Sequence, residues 1–318
     1  MEKSSNNKNN FFNIFRKIVL FVSLLTAVVS GVFLLKYLVF DPWISEKNME
    51  EVRKIKESGE GQNVDEKICD FDSLINLNPD IKGWIKIENT VIDYPVLQSS
   101  QDDPTFYLDK NYKKQNDQNG SIFINSYNPL FNEETHSKMQ NIVMHGHSMK
   151  SGKMFSAIIK YSDIEFFKKS PIVRFDSRYE PNQAGKWKIF AVVKTNSKEE
   201  DGPLFDYFTP MFDSPEQFLE FIYNIKIRSI LDIPVDISSD DKIISLSTCS
   251  YEMKDFRTVV FARKIRPGED NSIDFTRVKK NNNPLMPEIW YKSRKQKTPN
   301  FPSFKEALEK GKIDWIKA

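Results

Sequence analysis

"DKIISLSTCSYEMKDFRTVVFARKI", Asp241 to Ile265, is the stretch on which the architecture turns. Two runs rich in apolar and β-branched residues, "DKIISLSTC" and "RTVVFARKI", flank "SYEMKDF", a polar joint of seven residues. Such runs read as strands and such a joint as their turn. Antiparallel pairing then puts Cys249 at the end of one strand and Arg257 at the start of the next, so residues eight positions apart share one edge of a sheet. Read alone, Cys249 is either a reactive thiol with a cationic partner or a core cysteine at a strand end.

Directly before this pair, "SPEQFLEFIYNIKIRSI" carries a helix signature. Ser214 is placed to cap it, Pro215 suits its first turn, Gln217 stands at capping-box spacing, and Phe218, Phe221, Ile222 and Ile225 make an apolar stripe. Upstream, strand patterns dominate. "IKGWIKI" and "VIDYPVL" read as a pair about the Glu88-Asn89 turn; "SIFIN", "NIVMH", "PIVRFDS" and "KWKIFAVVKTN" read as further strands. "FDSLINLNPD" reads as a short helix ended by Asn-Pro, and "MFSAIIKY" as another. The fold class is therefore mainly β with peripheral helices.

The N-terminus is of a different kind. Residues 1–17 are basic, with Lys3, Lys8, Arg16 and Lys17, and residues 18–40 are apolar apart from Lys36. At about 1.5 Å per helical residue this stretch crosses a hydrocarbon core of roughly 30 Å, with Lys36 snorkelling to the interface. The positive flank implies a cytoplasmic N-terminus and an extracellular remainder. A cleaved signal peptide is the alternative, but "KYLVFDPW" lacks the small residues of a cleavage site. Residues 41–68 read as a charged juxtamembrane helix, "SEKNMEEVRKIKES", and a linker, "GEGQNVDE".

The whole chain carries a net charge of +2, which gives no general argument for nucleic-acid binding. Residues 266–318 alone carry +5 in a polar, proline-dotted segment ending in the helix-like "SFKEALEKGKIDWIKA". This extension either contacts anionic envelope polymers or is simply solvated.

A cysteine nucleophile works as thiolate and is usually served by a histidine. His136 lies in the polar "FNEETHSK" and reads as a loop residue in water, whereas "NIVMHGHSM" runs a strand into His145-Gly146-His147, with the glycine placed to let the chain turn sharply. Cys69 and Cys249 fit no disulfide framework and read as two free thiols. Without Cys-x-x-Cys or a Cys/His cluster, no metal or cofactor is expected.

"NIVMHGHSMKSGKMF" followed about a hundred residues later by "SLSTCSYEMKDFR" resembles the sortase family of membrane-anchored cysteine transpeptidases. That family's pattern is a Gly-His-x-Met segment, a [ST]-L-x-T-C strand end and an arginine on the next strand. "FDSLINLNPDIKGWIKIENTVIDYPVLQ" and the helix before the cysteine strand resemble class B. The resemblance spans roughly Cys69 to Arg266 and implies a catalytic domain at 69–266, built as an eight-stranded β-barrel, with 267–318 as an extension. It implies Cys249 as nucleophile, His147 as proton shuttle and Arg257 as the essential arginine. Ser247 and Thr248 match positions that line the substrate site, with structural packing as the equal alternative. His145 stands where tyrosine is common and either binds substrate or tunes the site; Ser250 stands where several members have an acidic residue.

The partners implied are secreted proteins with a C-terminal sorting signal, and a lipid-linked peptidoglycan precursor or pilin amine as acceptor. An L,D-transpeptidase of peptidoglycan is the enzymatic rival, although "LSTCS" lacks its Ser-x-Gly-Cys setting. A membrane-anchored binding protein that has lost activity is the non-enzymatic one.

Overall fold

The structure, a computed structural model, describes residues 2–57, 69–127, 129–180 and 185–317, with side chains from Phe12 onward. The linker "GEGQNVDE" lies outside the described residues. The chain divides into two compact units, Met1–Glu51 and Val52–Ala318.

In the first unit, α1 (Glu2–Leu35) passes through a π-helical turn (Lys36–Phe40) into α2 (Asp41–Glu57) without leaving helical geometry, and the residues of α2 from Val52 on belong to the second unit. The π turn has a cause. Pro42 has no N–H to donate and its ring would strike the carbonyl one turn back. The helix widens just before it, and Asp41 N–H bonds to Lys36 O instead of a residue four back. Large apolar side chains such as Phe12, Leu20, Phe33 and Phe40 stand exposed along this helix. Among the described residues it is the one helix long and apolar enough to cross a membrane.

Among its described residues the second unit has ten strands: β1 (Ile81–Lys86), β2 (Asp93–Leu97), β3 (Ile122–Ile124), β4 (Asn141–His145), β5 (Ile172–Ser177), β6 (Lys186–Asn196), β7 (Leu231–Asp232), β8 (Ile243–Ser250), β9 (Phe256–Lys264) and β10 (Lys279–Lys280). Eight of them close a barrel in the order β1-β2-β3-β4-β8-β9-β6-β5, while β7 and β10 pair separately. The pairs β2/β3 and β4/β8 are parallel. Closure leaves the barrel sheet itself without a free edge, and Trp84, Phe155, Phe190 and Phe261 are fully buried. Helices α3 (Phe71–Leu77), α4 (Ile164–Lys169), α5 (Pro215–Arg228), α6 (Glu288–Ser293) and α7 (Phe304–Glu309) complete the unit.

Several local readings change in detail. "MFSAIIKY" forms the short helix its sequence suggests, and its type is 3₁₀, over Phe155–Ser162. Phe155, Ile158 and Tyr161 recur every third residue and are all fully buried, a period that suits three residues per turn. α5 has its Ser214 cap, which accepts from Gln217 N, but Gln217 Oε1 takes the N–H of Asp213 at 3.0 Å, so the capping box is not closed on itself. The stripe Phe218, Phe221, Ile222 and Ile225 is buried as its spacing requires.

The segment after Arg266 is not a solvated tail. Phe304 and Ala307 of α7 bury against Tyr223 of α5, with Trp315 and Ile316 beside them. Tyr223 donates its hydroxyl to Pro302 O at 2.8 Å, and Ile237 exchanges backbone bonds with Trp315 and Lys317 at 2.8 and 2.9 Å. Aromatic residues spaced through the polar sequence supply the docking surface.

Where β9 ends, Arg263 is fully buried and donates both guanidinium amines to Glu269 at 2.7 Å, with Asp236 at 3.5 Å. Burial pushes the Glu269 carboxyl up, but the bonds from Arg263 and Lys188 outweigh it and hold the group well below the usual carboxylate range. A carboxylate whose pKa is depressed by folding contributes stability that is full above the unfolded pKa, about 4.3, and is lost as pH falls through the folded value. Arg263→Met, which strands the acidic partners, is expected to cost about 3 kcal/mol in urea unfolding at pH 7. Below pH 4 the gap between parent and variant should narrow, and a gap that widens in acid would contradict the assignment.

Candidate active site

β4 and β8 run parallel, and their register sets His145 beside Ser247. Two residues further along each segment come His147 and Cys249, so parallel pairing delivers both to the same end of the barrel. β8 and β9 are antiparallel with Cys249 directly opposite Arg257. The turn between them, Tyr251 to Asp255, is shorter than the sequence implies because β8 continues to Ser250 and β9 begins at Phe256.

Cys249 is the exposed residue of an otherwise buried strand. Arg257 Nη1 donates to its Sγ at 3.9 Å. The other thiol, Cys69, is buried and donates to Asp176 Oδ2 at 3.6 Å. Burial, and then the Asp176 charge, push it up to about 12, so it holds no useful thiolate at neutral pH. Both cysteines are free.

His147 is held by a backbone group that no side-chain pattern reveals. Its Nε2 lies 2.7 Å from the carbonyl oxygen of Leu108, in the 3₁₀ turn Phe106–Leu108. A carbonyl can only accept, so Nε2 donates and Nδ1 is the ring nitrogen left to exchange a proton. Gly146 does not take a positive φ, contrary to the sharp turn expected of it. It is needed for space: a Cβ there would lie 2.4 Å from Ile122 Cδ1 and 2.9 Å from the Phe155 ring.

His145 differs from its neighbour. Its ring stacks on Phe208 with centroids 5.7 Å apart and packs at a tilt on Phe123 at 5.5 Å. Burial, reinforced by the Arg257 cation, pushes its pKa down to about 3. The imidazole is therefore neutral at physiological pH and does not serve as an imidazolium acid there. His136 stacks on Tyr179 and places Nδ1 2.8 Å from Glu133 O.

Ser247 and Thr248 are fully buried, and both hydroxyls are engaged within the protein. Ser247 shares a 2.9 Å hydrogen bond with the Tyr207 hydroxyl, and Thr248 donates to Gly146 O at 2.7 Å. Asn141 of β4 fastens the aromatic loop above them by donating to Tyr207 O and Thr209 O at 2.9 and 3.0 Å. Between this loop and β4 lies a cleft of about 360 Å³ whose lining includes Tyr127, Met139, Asn141, Phe208 and Pro210. Among the described residues no group of three or more His, Cys, Asp or Glu is placed to hold a metal ion.

The sequence reading missed Tyr207, Phe208, Leu108 and Tyr251. Tyr207 and Phe208 had a signal in "LFDYFTPMF", whose aromatic density is high for a loop. The Leu108 carbonyl had none.

No family model matches the chain. Sortase B of Staphylococcus aureus is 30% identical over 200 residues, covering 62% of this chain and 75% of that protein. Sortase B of Listeria monocytogenes is 36% identical over 183 residues, covering 58% and 68%. The crystal structure of sortase B from Bacillus anthracis superposes with a TM-score of 0.58 at 28% identity, over 71% of this chain and 99% of that one. With these relatives and an eight-stranded barrel of the same kind, the chain belongs to the class B sortases, a family of cysteine transpeptidases.

Proposed function

We propose that this transpeptidase cleaves a C-terminal sorting signal of a secreted protein after threonine and transfers the protein to an amine of a lipid-linked peptidoglycan precursor or a pilin. Cys249 thiolate attacks the threonine carbonyl, forming a C–S bond, and the C–N bond breaks as His147 gives its proton to the departing amine. The acceptor amine then attacks the thioester, His147 takes a proton from it, and Cys249 leaves as the thiolate. Arg257 donates to the substrate carbonyl and to the oxyanion that develops on it.

The observation that carries this reading is the placement of Cys249 opposite Arg257, with the His147 segment arriving beside them on a parallel strand. His145 is the poorer shuttle because burial, reinforced by the Arg257 cation, depresses its basicity. His145 instead supports Phe208 by stacking on it, and Phe208 lines the cleft offered to the peptide. Ser247 and Thr248 act on substrate through the surfaces they shape, since their hydroxyls are already bonded.

The helix from residue 18 to 40 anchors the enzyme, with residues 1–17 cytoplasmic and the domain at 69–266 and its 267–318 extension outside. That location brings secreted chains and lipid-linked acceptors to the same site. The test is to mix the full chain in detergent with Asn-Pro-x-Thr-like or Leu-Pro-x-Thr-Gly-like peptides and an amine, then read intact mass. A thioacyl adduct and a transfer product are expected; a peptide consumed without any adduct on the enzyme, even under rapid quenching, would count against the covalent route.

A further inference from the structure

Cys249 and His147 lie on separate segments, so their mutual position depends on what ties those segments together. Three hydrogen bonds do so beyond the β4/β8 ladder. Gly146 N donates to Ser247 O at 3.2 Å, Thr248 Oγ1 donates to Gly146 O at 2.7 Å, and the Tyr251 hydroxyl donates to Ser148 O at 2.6 Å. The two hydroxyls come from residues on either side of Cys249. The two carbonyls belong to the immediate neighbours of His147. Thiol and imidazole are thus each bracketed by one frame.

Thr248 is held in β8 whatever its hydroxyl does, but Tyr251 is not. It is 66% exposed, so its ring buries little apolar surface and packing gives it little reason to stay in place. The turn that carries it is secured by other means. Glu252 ion-pairs with the buried Lys194, which also donates to Thr258 Oγ1 at 2.8 Å. At the far end, Ser197 donates from N and Oγ to Asp255 O at 3.0 and 2.7 Å, and Lys198 pairs with the Asp255 carboxylate at 2.9 Å. The turn is a fixed base from which the tyrosine reaches across to the histidine segment.

We propose that Tyr251 is a positioning residue, whose hydroxyl holds the His147 segment in register with Cys249. This rests on the assignment of His147 and Cys249 as the reacting pair. Tyr251→Phe removes the hydroxyl and keeps the ring. In the full chain in detergent, acting on a fluorogenic sorting-signal peptide, kcat should fall about fivefold, the size of one lost hydrogen bond. KM should stay within about twofold, since uniform binding is untouched, and the thermal unfolding midpoint within about 4 °C, the most that one such hydrogen bond is worth in a domain of this size. In a His147→Ala background the same change should have no further effect, because the group it positions is gone.

A kcat within about twofold of the parent overturns the proposal, as does an equal fold loss in both backgrounds. A raised KM with unchanged kcat also overturns it and makes Tyr251 a substrate contact. A His147→Ala enzyme as fast as the parent overturns the catalytic assignment itself, and this proposal with it.

Discussion

Cys249→Ala is expected to abolish the thioacyl adduct and to lower transpeptidation by at least about 10⁴-fold, the scale on which loss of a nucleophile is felt in covalent catalysis. Nothing else in the site can take over. The second thiol, Cys69, is buried beside Asp176 and pushed up to about 12, so it offers neither access nor thiolate. Because Cys249 projects from the exposed end of β8, its loss should leave folding within about 0.5 kcal/mol of the parent. Peptide affinity should also survive, since the change shortens a single small side chain at the strand end. Equilibrium binding of the sorting peptide, measured beside the rate, separates these effects. Product formation by Cys249→Ala would sink the mechanism.

His147→Ala should lower kcat by about 10² to 10⁴-fold, the range for loss of a positioned general acid and base. The Leu108 carbonyl takes the Nε2 proton, which leaves Nδ1 for transfer, so free imidazole added to the buffer should restore part of the rate. His145→Ala gives the contrast. That ring is neutral and stacked on Phe208, so its removal should raise KM for the peptide by up to about tenfold and leave kcat close to the parent. The two variants compared by kcat and KM decide between the histidines. A His145 variant slower in kcat than the His147 variant would reverse their roles.

The strand pair that carries Cys249 and Arg257 was legible because its two signals agree. Runs rich in apolar and β-branched residues mark each strand, and a polar joint between them brings the two residues to one sheet edge, where the structure sets them face to face. α5 was legible for the same reason, its cap and its stripe pointing one way. Barrel closure was not. It depends on β1/β5, β4/β8 and β6/β9, pairings between strands that do not follow one another in sequence, and period alone does not say which strands meet. Only the resemblance of "HGHSM" and "LSTC" to a known family supplied that step.

The site shows the same division. Cys249, His147 and Arg257 are chemically conspicuous, whereas the groups that orient them are a main-chain oxygen at Leu108 and a tyrosine in a turn. Gly146 was noticed for the wrong property, since its value lies in the space it leaves for Ile122 and Phe155. The docking of the C-terminal segment was hidden by composition. Phe304 and Trp315 are few among many charges, yet they are enough to seat it on α5.

The parallel ladder between β4 and β8 makes the reacting pair indifferent to chain length. Roughly a hundred residues separate His147 from Cys249, yet the offset between them is counted along two adjacent rails from Asn141 and Ile243. The excursion from β6 to β8, with α5 and the Phe208 loop, can be lengthened or exchanged without altering that count. On the proposed function, the spacing of the reacting groups is thereby written into the barrel alone, whatever the length of the segment that connects its two rails.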